Sequence, residues 1–388
     1  MSLRCLPVFL LCYWYEGLFV RGQDEGDTII VPTAPPLDGV EAADAVDIVA
    51  VGAGRFGVRG QAQVGPPSAA NAIGANGVYL GGILQPPETQ SAFNARTQVR
   101  HAAFLHFIKF PEAVNDTHEE HASVSDFLTE CKENGAMAAL TVMTDGGLHS
   151  YSVQQINDFA DFLNIWSDSV PIWLRFNHEM NGSWYSWGQQ PALYKSKFEE
   201  FSRIIKARTT HVAMVWTPNY ELGFPWPGEK YSNPSVGRED PYWQFFPNSS
   251  DTVDWIGMSY YHWGDCDSAG ALGCNVIPQR GKFYRAVGQF YNEVAARLNK
   301  PMMVSETSSL FHTGRAGASE IDIKSAWLQQ VYGSLHDFPL ISAVFWFNIH
   351  KDEPIVGGDV DWCLDRNEAV TAIYREMVHR PSFIQSMS

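Results

Sequence analysis

Val170-Pro-Ile-Trp-Leu-Arg-Phe-Asn-His-Glu-Met-Asn-Gly-Ser-Trp184 carries two messages in one short stretch. Its first half is an apolar run of strand type. Its second half is a cluster in which Glu179 sits among His178, two amides and Trp184. A second apolar run, Met302-Met-Val304, ends likewise in Ser305-Glu306-Thr307. Carboxylates at the carboxyl ends of two buried strands suit a (β/α)8 barrel, where active-site residues sit at strand ends. Two carboxylates facing one site are also what hydrolysis of a glycosidic bond requires.

Outward from these two runs, the chain alternates short apolar segments with helical patterns from Gly77 onward, the signature of parallel β/α units. Strands are expected at 77–84, 102–108, 136–143, 170–177, 211–217, 253–261, 301–306 and 341–348, enough for one barrel. Helical spacing is plain in Tyr194, Phe198, Phe201 and Ile205, and again in Phe283, Val287, Phe290, Val294 and Leu298. The fold class is therefore α/β, a (β/α)8 TIM barrel over residues 77–388.

The N-terminal part reads differently. Residues 1–22 hold an apolar run from Cys5 to Tyr15 behind Arg4, too short for a membrane span, and are read as a secretory signal. Residues 23–76, rich in Gly, Ala, Pro and Val, are read as an extended segment packing on the barrel. Within it, Gly52-Ala-Gly54-Arg-Phe-Gly57 matches a dinucleotide-binding fingerprint, but Pro66 and Pro67 deny it a full helix. No acidic residue follows before Glu88, so the match carries no nucleotide function.

A net charge of −16 argues against nucleic acid or an anionic membrane as partner and suits a secreted, extracellular monomer acting on a neutral substrate. The 13 tryptophans supply flat faces for a sugar ring. Without the leader, Cys131, Cys266, Cys274 and Cys363 remain. Cys266 and Cys274 bracket a small loop and are the expected bridge, leaving Cys131 with Cys363 by elimination. Asn115 and Asn248 stand in glycan-acceptor sequences, as does Asn181, where a glycan would block the site. No metal or organic cofactor is expected.

Roles follow from surroundings. Glu179, among His178, Met180 and Trp184, is in an apolar setting that favours a protonated carboxyl and hence a general acid. Glu306, between hydroxyl residues, is the expected nucleophile. Tyr260 and Tyr261 end a strand, so one should face the site and the other should not. Trp346 is a candidate floor under the cleaved sugar, His106 a substrate contact, and Arg175 a support for a carboxylate from below.

The run Arg175-Phe-Asn-His178-Glu179-Met-Asn-Gly182-Ser-Trp184, followed by Tyr185, Trp187 and Gly188, closely resembles glycoside hydrolase family 26. So do Val215-Trp-Thr-Pro-Asn219, Val253-Asp-Trp-Ile-Gly-Met-Ser-Tyr260, Ser305-Glu306 and Trp346, in the expected order over residues 77–378. The resemblance implies a clan A barrel and a retaining mechanism, with Glu179 as acid/base and Glu306 as nucleophile. It implies that His178 orients the site and that Trp184, Tyr260 or Tyr261, and Trp346 line the subsites. It also implies a β-linked polysaccharide as substrate, β-1,4-mannan first, cut internally. A mixed-linkage β-glucan or β-1,3-xylan is the alternative, and a non-catalytic carbohydrate-binding barrel stands behind both. Thr307-Ser308 after the nucleophile, Tyr260-Tyr-His-Trp-Gly264 and the loop Asp145-Gly-Gly147 depart from the family pattern. They lie around the substrate and leave its identity open.

Overall fold

The structure is a computed structural model and describes residues 77–114, 119–220, 229–237, 239–266 and 271–385. The leader, the N-terminal segment with its glycine fingerprint, and Asn115 lie outside these residues.

Seven strands follow one another in the sheet: β1 (Val78–Leu84), β2 (Ala103–Lys109), β3 (Met137–Met143), β4 (Ile172–Phe176), β5 (Val212–Trp216), β6 (Trp255–Ser259) and β7 (Met302–Thr307). After the short β8 (Phe311–His312) comes β9 (Ile341–Asn348), which pairs in parallel with both β7 and β1 and closes the barrel. The strands are apolar on both faces because each is covered inside and out. Outside lie α1 (Gln90–Thr97), α2 (Glu119–Asn134), α3 (Val153–Ser167), α4 (Pro191–Arg208), α5 (Lys282–Phe290), α6 (Glu320–Ser334) and α7 (Glu368–Val378). Local signals set their ends: Ser152 and Gln155 form a capping box on α3, and Pro191 opens α4 at its first turn. Tyr194, Phe198, Phe201 and Ile205 form the buried stripe of α4. Between β5 and β6 the described residues hold two short 3₁₀ turns, Trp243–Phe245 and Ser250–Thr252, and no α-helix.

The lower barrel interior is aromatic. Trp173 meets Tyr79, Trp255 and Phe345 edge-on, with ring centroids 5.6, 5.1 and 6.1 Å away. Phe345 lies so close to Gly81 that a Cβ there would stand 2.4 Å from a ring carbon.

The upper interior depends on a register shift. Val304 pairs with Val344 and Thr307 with Trp346, so β7 takes three steps where β9 takes two. Against β6, Met258 pairs with Val304 but Ser259 with Glu306. One extra residue thus sits in β7 at Ser305–Glu306, a bulge of the kind that re-aims side chains. Strict alternation from Met303, whose partners are Gly257 and Ala343, would turn Glu306 outward. The bulge turns it in.

Above the barrel, β10 (His350–Glu353) and β11 (Gly358–Asp361) form a hairpin whose second strand also pairs with β8. The chain ends in β12 (Phe383–Ile384), parallel to the start of β1. Cys266 and Cys274 are bridged as expected, with Cα atoms 5.2 Å apart. The second expected bridge is overturned: Cys131 and Cys363 are both free and buried. Cys131 accepts a hydrogen bond from the Gln90 side chain at α1, while the Cys363 carbonyl accepts from Lys324 on α6. Elimination had assigned a pair that packing does not bring together.

Candidate active site

β4 ends at Phe176, yet the backbone continues to bond along the barrel rim: Asn177 N donates to Val142 O and Glu179 N to Thr217 O, both at 2.8 Å. Asn177 and Glu179 hold positive φ values of 48° and 54°, conformations that cost a non-glycine residue about 1 kcal/mol or more and are kept only where surroundings fix them. The fixing bonds are visible. The Asn177 side-chain oxygen Oδ1 accepts from Thr144 N at 3.0 Å. Asn181 accepts from Asn219 N and donates to Asn219 O, both at 2.9 Å. The indole of Trp184 folds back across Gly182, where a Cβ would stand 2.3 Å from the ring. That is why glycine occupies this place in the motif.

Glu179 and Glu306 are each 5% exposed and line one pocket. Their surroundings differ. Glu306 Oε1 accepts from Arg175 Nη2 at 2.7 Å, and Oε2 accepts from the Tyr261 hydroxyl at 2.7 Å. Arg175 is fully buried, and its other nitrogens donate to Thr141 Oγ1 at 2.9 Å and Thr217 Oγ1 at 3.4 Å. Glu179 accepts from Asn219 Nδ2 at 2.7 Å and Trp184 Nε1 at 2.9 Å, with no cation among these partners. Burial, and then the charge of Glu306, push its carboxyl up to about 7, against the pull of its hydrogen-bond partners Asn219, Ser259 and Trp184. Glu179 therefore keeps a proton near neutrality while an anion-binding set of donors surrounds Glu306. His178 Nε2 lies 3.2 Å from the Tyr185 hydroxyl and 3.9 Å from Glu306 Oε1. Burial and the Arg175 charge hold it well below the usual imidazole range, so it is neutral.

Of the expected site residues, the structure brings Glu179, Glu306, His178, Trp184 and Tyr261 together. It places three elsewhere. His106 points away from the barrel interior, stacked on Phe127 of α2 with Ser123 3.3 Å from its Nε2. Its neighbour Phe107 faces inward to His178 instead. Tyr260 packs outward against Phe283 and Trp327, being the partner of alternate parity to Tyr261. Trp346 shares the face of Thr307, which bonds Trp327 outside the barrel, and donates its Nε1 to Trp362 O. The inward neighbour Phe347 lines the pocket in its place. The sequence reading missed Asn219, Tyr185, Trp263, Phe347 and Trp362 as site residues. Asn219 was within reach, as the end of the Trp216-Thr-Pro-Asn219 run. The Asn181 acceptor sequence is structural: Asn181 and Ser183 are buried, and the Ser183 hydroxyl donates to Glu229. Among the described residues no group of three or more His, Cys, Asp or Glu is placed to hold a metal.

A family model for glycosyl hydrolase family 26 matches residues 121–300, which include Glu179 and its motif and stop just short of Glu306. Endoglucanase H of Acetivibrio thermocellus is 26% identical over 208 residues, 53% of this chain. That match spans only 20% of the relative's own length. In fold the chain is similar to GH26C of a Muricauda species, with a TM-score of 0.58 at 15% identity over 84% of this chain and 97% of that one. It is also similar to the modular endo-β-1,4-mannanase of Cellulomonas fimi, with a TM-score of 0.55 at 15% identity over 82% and 74%. The catalytic domain of the Bacillus sp. JAMB-750 endo-β-1,4-mannanase gives 0.54 at 13% over 82% and 89%. The match to the family 26 model thus covers a little under half of the chain, and the likeness to these solved structures is one of fold.

Proposed function

We propose that this relative of glycosyl hydrolase family 26 is a retaining, endo-acting hydrolase of a β-linked polysaccharide, with β-1,4-mannan as the leading substrate. One observation carries the reading: two buried carboxyls face one pocket, one holding a proton and the other clasped by donors. Glu306 attacks the anomeric carbon as Glu179 gives its proton to the leaving oxygen, and a glycosyl-enzyme ester forms. Esterification removes the Glu306 charge, one of the two causes that raise Glu179. Glu179 is then the better carboxylate base for the water that releases the sugar, its proton passing to Glu179 as the ester breaks. Asn219 and Trp184 each occupy an acceptor site on one Glu179 oxygen and fix the carboxyl beside the cleft. Tyr185, Trp263, Phe347 and Trp362 supply ring faces for the sugar.

A second reading, a β-glucan as substrate, is favoured by the likeness to Endoglucanase H. Product analysis on β-mannan, galactomannan, barley mixed-linkage glucan, β-1,3-xylan and cellulose separates the two. Oligosaccharides from mannans alone, absent with Glu306→Ala, are the expected result. Cleavage of the glucan alone replaces the substrate, and no cleavage of any polymer removes the hydrolase reading. Glu179→Ala should slow polymers far more than activated aryl glycosides, whose leaving groups need no proton. Equal losses on both would remove Glu179 from the acid's role.

A further inference from the structure

We propose that Lys351 and Glu353, on the β10–β11 hairpin above the barrel, form a subsite for two adjacent free hydroxyls of a neutral sugar. The proposal rests on the hydrolase reading and adds a selection rule to it: the cleft admits an unsubstituted sugar ring beside the cleaved bond and rejects one that is O-acylated there.

Both residues line the pocket that holds Glu179 and Glu306. Glu353 is 1% exposed, an extreme burial for a carboxylate. Lys351 Nζ stands 3.0 Å from its Oε2 as an ion pair, yet among the described residues both carboxylate oxygens are buried with no hydrogen-bond partner, and Oε1 has no cation against it either. A buried carboxylate oxygen left unbonded is costly unless something fills its place. Lys351 Nζ also lies 5.5 Å from the centroid of Phe347. Phe347 meets Tyr261 edge-on at 5.6 Å, and Tyr261 holds Glu306. This contact chain puts the ion pair on the nucleophile's side of the pocket, where the sugar bearing the anomeric carbon must sit.

The pair is held rigidly. Val356 N, in the hairpin turn, donates to Glu353 O at 3.1 Å. Arg315 donates to Val356 O with one nitrogen and to Gly273 O, at 3.0 Å, with the other. Gly273 N donates to Trp263 O, and the Cys266–Cys274 bridge closes the same loop. Hairpin and Trp263 therefore form one wall, and a pre-organised wall loses little on binding.

The chemistry selects the ligand class. An ammonium beside a carboxylate offers one donor and one acceptor. Adjacent sugar hydroxyls match them, one oxygen accepting from Nζ and the neighbouring hydroxyl donating to Oε1, both bonds charge-assisted. An anionic sugar would meet Glu353 and a cationic one Lys351. Acylation removes the donated proton, leaves Oε1 unbonded and adds bulk against the aromatic wall, the kind of mismatch a polar pocket rejects strongly.

The test uses glucomannan, which offers both β-1,4-mannose and glucose, in partially acetylated and alkali-deacetylated forms. The wild-type chain should prefer the deacetylated polymer in kcat/KM by about tenfold or more. Glu353→Gln should raise KM about tenfold on the deacetylated polymer with kcat within about twofold, and should lose most of the preference. Lys351→Met is read in the same way if Glu353→Gln does not fold. Unchanged KM and preference with a lowered melting temperature would make the pair a structural ion pair and overturn the proposal. Calorimetry with mannotetraose and cellotetraose on Glu306→Ala, with and without Glu353→Gln, decides separately. About tenfold weaker binding with the second change supports the subsite even if no polymer is cut, and equal binding refutes it.

Discussion

The two ends of the barrel are built from the same strands and solve opposite problems. On β4, Trp173 and Arg175 both point inward, two residues apart. Trp173 completes an aromatic plug with Tyr79, Trp255 and Phe345, which needs shape and nothing else. Arg175, one layer higher, is as deeply buried, but its guanidinium bonds Thr141, Thr217 and Glu306. The dry end supplies stability by excluding water. The polar end keeps charges out of water and is held by direct bonds. Without the plug below, the pocket would open into a wet channel, and the burial that lifts Glu179 would be lost.

This contrast can be broken by experiment. Trp173→Ala and Arg175→Met should each cost about 3–5 kcal/mol of folding stability, for different reasons. The Trp173 loss is cavity formation, so Trp173→Phe, which refills most of the space, should recover much of it. The Arg175 loss leaves Glu306 without its buried cation, so Arg175→Lys, which keeps the charge, should recover part of the deficit that Arg175→Met cannot. Denaturant midpoints of the four variants decide, and Arg175→Lys no more stable than Arg175→Met would erase the distinction.

Glu179→Gln should move stability the other way. The folded protein holds the Glu179 proton up to about 7, whereas the unfolded chain releases it near the ordinary 4.5. Stability is therefore lost as pH rises between these values and stays lower above them. Removing the charge should stabilise the fold at pH 8 by up to roughly 3 kcal/mol and change little at pH 4. In the unmodified chain, kcat/KM should fall about tenfold per pH unit above about 7, as the acid form disappears. A flat profile from pH 6 to 9 would detach Glu179 from proton transfer. The smallest effect expected is that of Gly81→Ala, whose methyl would strike the Phe345 ring and cost about 1–3 kcal/mol with KM unchanged. A change in KM without loss of stability would show that the plug and the site are not separable.

The eight barrel strands were legible because buried parallel strands leave continuous apolar runs between turn signals, and each expected segment overlaps the observed one. The site was legible where it lies on a strand end in one motif, as for Glu179 and Trp184. It was not legible where facing decides. His106, Tyr260 and Trp346 are of the residue types that bind sugars, and each sits one position from the residue that faces inward, Phe107, Tyr261 or Phe347. Lys351, Glu353 and Trp362 gave no signal at all, because they reach the pocket from a hairpin beyond the last barrel strand.

The chain alone thus determined the barrel, the family resemblance and the two carboxylates, since hydrophobic periodicity and a dense local motif are properties of neighbours in sequence. Tertiary structure decided which way side chains point. An extra residue in β7 reverses the parity that would send Glu306 outward. Packing of Cys131 against Gln90 and of Cys363 beside Lys324 leaves both thiols unpaired. Register and long-range packing are set by contacts between segments far apart in the chain, and no local pattern records them.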